Sequence, residues 1–458
     1  MPSEDTERSP GAKLTFAVIV AALLIIPLFT VYLLIYDRQN QSQTARTSIA
    51  AGWGGAQVLT GPNLAIPYQT TSTETVTENG KPVTRTATVW RELTLLPQTV
   101  DMTTAIAPEV RKRSIYEAVV YGAHHAGRAR FVLPADLARM GIDTGSLAVD
   151  RAELRFGIVD PRGLYGPPPR VTVNGVQRPL QPGKGTPETG GAGFYTWVDA
   201  SALRTAPITA DFAFDLRGNE SLALAPQAGD TRWTVTSPWR NPSFTGGFLP
   251  AARDVSASGF RAQYRVGNLA LGREMAAVGD PPGAGDRILS DRNVPDAVQA
   301  RIGLVTPVDL YDQVNRSVKY GFLFIGFTFM AFLMFDVVGG VRVSAVEYLL
   351  VGAGLVLFFV MLLAFAEVIG FGWAYLVAAG AIIALLTAYS AAVLGSRQRA
   401  GFIGALLIGL YAVLYVLLSL EAYSLLIGSL LTFAALAAIM YLTRKVDWGR
   451  RRPSPARP

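Results

Sequence analysis

The sequence predicts an integral membrane α-helical protein with six transmembrane helices, arranged 1 + 5, and a large β-rich, sandwich-like domain inserted between helix 1 and helix 2. Three observations carry this prediction. One apolar run covers residues 14–36, a polar stretch of 283 residues (37–319) follows, and five more apolar runs crowd into residues 320–442. Charge is partitioned to match: residues 320–442 hold only Asp336, Arg342, Glu347, Glu367, Arg397, Arg399 and Glu421, each where the apolar pattern ends a helix. Within the polar stretch, apolar and polar residues alternate at period two, the pattern of half-buried strands.

The first run is long enough to cross a bilayer. About 20 apolar residues span a hydrocarbon core of roughly 30 Å as a helix, and only helices or closed barrels satisfy their own backbone there. At 23 residues it exceeds the 7–15-residue core of a cleavable signal peptide, and no small-residue cleavage site follows directly. It reads as an uncleaved signal anchor behind a 13-residue N-terminus. The later spans fall near residues 320–335, 348–366, 373–394, 401–420 and 423–442, with a basic tail at 443–458.

Orientation follows from Lys and Arg in short loops, because positive residues near span ends stay cytoplasmic. Arg342 follows the second span, Arg397 and Arg399 follow the fourth, and Arg444, Lys445, Arg450, Arg451, Arg452 and Arg457 lie in the tail. The turns at Glu367 and Glu421 hold none. Both termini are therefore expected in the cytoplasm and residues 37–319 outside, which in a Gram-negative bacterium means the periplasm. The net charge of +7 owes much to the tail, where retention and contact with anionic lipid explain it without nucleic acid. The bilayer itself is the first expected partner.

Inside the inserted domain the clearest alternation is Ile208, Ala210, Phe212, Phe214, Leu216. Phe260 to Val266, Leu154 to Ile158 and the Thr-rich run 83–93 repeat it, separated by Gly/Pro clusters at 161–169 and 182–193. With no Cys the domain uses no disulfides; at this size it needs none to hold a core. An echo between residues 111–121 and 253–264 admits two readings, a duplicated β unit or two unrelated strands. The segment 237–250, dense in Trp, Phe, Pro and Gly, is either a structured loop packing aromatics under the sheet or a recognition surface presenting Trp239, Pro242, Phe244 and Phe248.

No chemistry-bearing motif emerges. His124 and His125, the only histidines, are neighbours on a strand and would face opposite ways; the expectation is an exposed pair without a shared metal. Gly183-Lys184-Gly185 lacks the Ser/Thr and helix of a phosphate loop and reads as a flexible loop. Asp211 and Asp215 read as ordinary exposed acids. Neither cofactor, metal nor catalytic group is expected. Glu367 and Glu421 are the candidate functional acids, since a carboxylate near hydrocarbon often marks a relay or transport path; interfacial anchoring competes with that reading.

The whole pattern resembles the cell-envelope integrity CreD family of bacterial inner membrane proteins. The resemblance runs through WGGAQVLTGPNLAIPY (53–68), LLP (95–97), RKRSIYEAVVY (111–121), VDPRG (159–163) and SPWRNPSFTGGFLP (237–250). It continues through residues 315–329, 348–375 and 420–448. Two polar positions depart from it: Ser344-Ala345-Val346-Glu347-Tyr348 stands where the family has His-Pro-x-Gln-Tyr, and Ala366-Glu367-Val368 where it has Ser-Glu-His. The departure argues against a His-based proton relay. The resemblance implies a non-enzymatic role in envelope integrity, tied to a two-component stress response and to tolerance of β-lactams and colicins. The outer domain would bind an envelope component or protein partner. The alternative is a transporter or lipid-handling protein using the five-helix bundle; a periplasmic hydrolase is a more distant rival.

Overall fold

The computed structural model describes residues 10–78, 81–113, 116–279, 296–304, 310–337, 343–419 and 424–444. The chain divides into a β unit, Thr44–Pro307, and a helical unit formed by the residues on either side of it. This β unit is shorter at both ends than the polar stretch 37–319, because helix continues past the apolar run and begins again before the next.

The helical unit starts with α1 (Pro10–Leu23) and the part of α2 (Ile25–Ala51) that precedes Thr44. They are separated only at Leu24, where Pro27 removes the N–H that would bond the Leu23 carbonyl. After the β unit come α4 (Leu310–Lys319), α5 (Gly321–Val337), α6 (Ala345–Ile369), α7 (Phe371–Val393), α8 (Arg397–Ser419) and α9 (Ser424–Thr443); α3 is a single turn in the β unit, Asn268–Leu271. Among the described residues five segments are long and apolar enough to cross a membrane: Leu14–Ile49, Leu310–Asp336, Val346–Ile369, Phe371–Val393 and Arg397–Leu418. The 20 residues of α9 continue the apolar series.

Aromatic rings fill the centre of this unit. Phe358 sits 4.7 Å from Tyr411 and 5.5 Å from Tyr375, centroid to centroid, and the Tyr375 hydroxyl donates to the Tyr411 carbonyl at 2.6 Å. Between lipid-like surfaces such packing and buried hydrogen bonds, rather than water exclusion, hold helices together. Close approach is bought by glycine: a Cβ on Gly321 would press on Leu28 and Phe359, and one on Gly404 would meet Thr387. Ser344 caps α6 in a capping box, its hydroxyl accepting from the Glu347 N–H while the Glu347 carboxylate accepts from the Ser344 N–H. Glu347 therefore has a helix-starting role.

The β unit is a sandwich of two mixed sheets. In the nine-stranded sheet the order is β13-β17-β11-β1-β5-β9-β8, with β2 on β1 and β16 on β2. Its long members are β1 (Gln57–Glu78) and β2 (Lys81–Leu95), with β5 (Ala152–Ile158), β9 (Gly193–Val198), β11 (Ser221–Ala225), β13 (Pro242–Gly246) and β17 (Ala300–Leu304) beside them; β8 (Gln181–Pro182) and β16 (Ala276–Val278) are short. The eight-stranded sheet runs β14-β15-β12-β3-β4-β10-β6-β7. It comprises β3 (Thr99–Arg113), β4 (Tyr116–Phe131), β6 (Arg170–Val173), β7 (Val176–Gln177), β10 (Ile208–Asn219), β12 (Asp230–Ser237), β14 (Ala252–Ser256) and β15 (Gly259–Gly267). Pairs β1/β11 and β3/β12 are parallel.

One core lies between the sheets. Phe156 meets Phe212 edge-on at 5.3 Å and Phe194 meets Phe214 at 5.8 Å, joining strands of opposite sheets. In β10 every second residue from Ile208 to Leu216 is buried, as the alternation predicted. The echoing segments 111–121 and 253–264 fall on the antiparallel pairs β3/β4 and β14/β15; each puts a tyrosine, Tyr121 or Tyr264, into the core. The first hairpin sits inside the sheet and the second at its edge, so the likeness is that of two hairpins.

Candidate functional site

Three segments far apart in sequence meet at one end of the β unit. Gln57, which opens β1, is buried, and its side-chain N–H donates to the carbonyls of Asp160 (3.2 Å) and Arg217 (3.0 Å) while its carbonyl accepts from the Asp160 N–H at 3.3 Å. One amide side chain thus ties the start of β1 to the loop after β5 and to the end of β10. The Asp160 carboxylate accepts from the Gly55 N–H (3.4 Å) and from the Arg162 side chain at 2.8 Å. The Arg162 side chain, above all, holds Asp160 below its ordinary range. Glycine makes the crossing possible: a Cβ on Gly163 would overlap the Arg217 carbonyl and the Gln57 amide, and Gly54 takes φ +111° against the same carbonyl.

Over this knot lies a stack of cations and rings. Arg111, from the β3/β4 hairpin, sits 3.9 Å from the Trp53 ring centre, and Arg217 sits 4.2 Å from the same ring and 4.4 Å from that of Tyr165. Trp53 is fixed by its N–H, which donates to the Tyr121 carbonyl at 3.2 Å. Tyr165 lies over Gly122, where any Cβ would strike its hydroxyl. Below, the Tyr121 hydroxyl donates to the Ser221 carbonyl at 2.8 Å, and burial pushes that phenol well above its usual range.

The segment 237–250 carries the chain from β12 in one sheet to β13 in the other. Trp239, Phe244 and Phe248 are half-buried against the core and Pro242 opens β13; Phe244 meets Phe260 edge-on at 5.7 Å. Leu249, at 65% exposure, is the apolar residue this segment turns outward.

In the helical unit Glu367 lies near the end of α6, where its oxygen is 3.1 Å from the Tyr311 hydroxyl of α4 and 4.0 Å from Arg38 of α2. A carboxylate at a helix C-terminus is disfavoured by the helix dipole; the phenol and guanidinium offset this. Glu421 lies outside the described residues, as do Arg342 and the tail from Lys445 onward. Asp336 lies at the end of α5, as its place in the apolar pattern predicts, and is buried.

Other expectations need correction. The histidines do face opposite ways on β4, but they are not an exposed pair. His124 reaches out to Asp215 at 2.6 Å, whereas His125 is fully buried against Phe214, its Nδ1 3.0 Å from the Thr104 hydroxyl. Burial, with the charge of His124 second, lowers the His125 pKa to about 3. Lys184 is not on a free loop: it pairs with buried Glu153 at 2.5 Å, and Arg155 joins that carboxylate to Glu92 at 2.7 Å. Asp211 and Asp215 are paired, with Arg128 and His124.

Sequence reasoning missed Arg217 and Tyr165, which fall in none of the resembling segments. Trp53, Gln57, Arg111 and Asp160 lie in three of those segments, and the glycines around them were the available sign of close backbone crossings.

The fold is that of a multi-spanning membrane protein with a β-sandwich inserted after its first apolar helix. The profile of the family described as "Inner membrane protein CreD" matches residues 9–449. The chain is also 31% identical over 444 residues to inner membrane protein CreD of Escherichia coli (strain K12), covering 95% of this chain and 93% of that protein. The chain belongs to the CreD family of inner membrane proteins.

Proposed function

We propose that this is a non-enzymatic protein of the inner membrane whose β unit faces the periplasm, binds an envelope component or protein partner, and thereby supports envelope integrity under stress. The observation that carries the reading is the convergence of Trp53 and Gln57 of WGGAQ, Arg111 of RKR and Asp160 of VDPRG on one end of the β unit. These three segments all belong to the β unit. The helical unit anchors it. The transport alternative finds less support, because aromatic rings occupy the middle of the bundle and Glu367 is engaged by Tyr311 and Arg38.

The orientation is directly testable, since the chain has no cysteine. Single cysteines at Ser258, in the β14/β15 turn, and at Gln398, in the first turn of α8, are to be challenged with a membrane-impermeant maleimide in spheroplasts. Labelling of Ser258→Cys in intact spheroplasts, and of Gln398→Cys only after lysis, is the expected pattern. The reverse pattern defeats the proposal.

A further inference from the structure

Around the Trp53 stack the acids are already engaged. Asp160 is held by Arg162 and the Gly55 N–H, Asp215 by His124, and Glu109 by Arg111 at 3.2 Å. Arg217 is the cation left over. Among the described residues no carboxylate or carbonyl accepts from its guanidinium, and its Nε is buried without a hydrogen-bond partner. Its neighbours are the rings of Trp53 and Tyr165. A planar guanidinium carries its donors at its rim, so rings against it do not consume them. Burying an N–H without an acceptor is costly, yet this chain builds the position with care. Tyr165 needs glycine at 122, which is paired in register with Arg217, and Trp53 is fixed by its own hydrogen bond.

We propose that Arg217 in this stack is a phosphate-binding site, with Arg111 on the same indole as a second, more exposed cation. Phosphate offers several oxygens to two guanidinium groups and pairs with Arg through two parallel N–H bonds. The shared chemistry is that of a phospholipid headgroup or of a soluble phosphorylated molecule. The inference rests on reading the β unit as a binding module and names the ligand class of that reading.

The test uses the full chain in maltoside detergent, titrated calorimetrically with inorganic phosphate and with dihexanoyl phosphatidylglycerol against chloride at equal ionic strength. Saturable binding is expected; binding of both probes means the phosphate group suffices, and binding of the lipid alone makes the headgroup the source. R217Q and R217K, checked for an unchanged unfolding midpoint, should each weaken binding at least about tenfold, because lysine keeps the charge but loses the planar fork. Should R217Q fail to fold, R217K and R111Q carry the test, with R111Q giving the smaller loss. Absence of saturable binding by the wild-type chain, or wild-type affinity in folded R217K, overturns the site and leaves the stack as a structural pillar. Maleimide labelling reports on the wider reading separately, so the two can fail independently.

Discussion

In the β unit charged side chains are spread over the outer faces of the two sheets and matched to one another, as in Glu92–Arg155–Glu153–Lys184 or Asp215–His124. In the helical unit they keep outside the long apolar runs, as with Glu367 against Tyr311 and Arg38, and the interior is held by rings and close helix contacts. The difference follows from the solvent each unit is built for. Strands facing water need one polar face and a core that excludes water; helices in hydrocarbon gain nothing from hiding apolar groups and rely on packing. One lesson is where to look for function: in the unit with spare polar surface, a cation without an anion stands out, whereas a carboxylate at a helix end is commonly an anchor.

The largest effects should separate the two units. Trp233 is fully buried in the sandwich and donates to the Thr104 hydroxyl at 2.9 Å. Trp233→Ala should destabilise the β unit by roughly 3–5 kcal/mol, read as a lowered unfolding midpoint. Phe358→Ala, equally buried in the bundle, should cost less because no transfer from water is lost. Equal losses would break the comparison.

A smaller effect is expected from pH. The His125 pKa falls from 6.5 in the unfolded chain to about 3 in the fold, so only the unfolded state takes up the proton between those values. Its neutral burial leaves stability unchanged above pH 6.5 and costs up to about tenfold in the folding equilibrium per pH unit as pH falls toward 3. His125→Leu should flatten the slope between pH 6 and 5, where the carboxylates do not yet titrate. A slope that persists unchanged would assign it elsewhere.

Smaller still, Glu367→Gln should leave protein level and survival under envelope challenge near wild type, since Tyr311 can still hydrogen-bond to the amide. Loss of function at normal level would revive the transport reading. Least of all, Arg128→Gln should not move the unfolding midpoint measurably: its pair with Asp211 is exposed and largely screened.

Much of this architecture is legible in the sequence, for physical reasons. Hydrocarbon demands long apolar runs, and a half-buried strand such as Ile208 to Leu216 demands alternation. The ends of elements were less legible: α2 runs on to Ala51 through polar residues that no bilayer requires. The Ser344-x-x-Glu347 capping box could have been read from its spacing, whereas burial of His125 could not, because alternation alone does not say which face is the core. The site was half visible. Trp53, Gln57 and Asp160 stand in recognisable segments, but only the pairing of β10 with β4 brings Arg217 beside them, and only the bonding of the loop after β5 to β10, with the Tyr165 N–H on the Asp215 carbonyl, brings Tyr165.

The measurement that most directly tests the central claim is survival of a deletion strain under detergent, β-lactam and colicin challenge, complemented by the full chain or by residues 1–307, the first helix with the β unit. The account predicts that residues 1–307 restore survival. Rescue by the full chain alone, with the shorter protein present at the same level, would contradict it and move the function into the helical bundle.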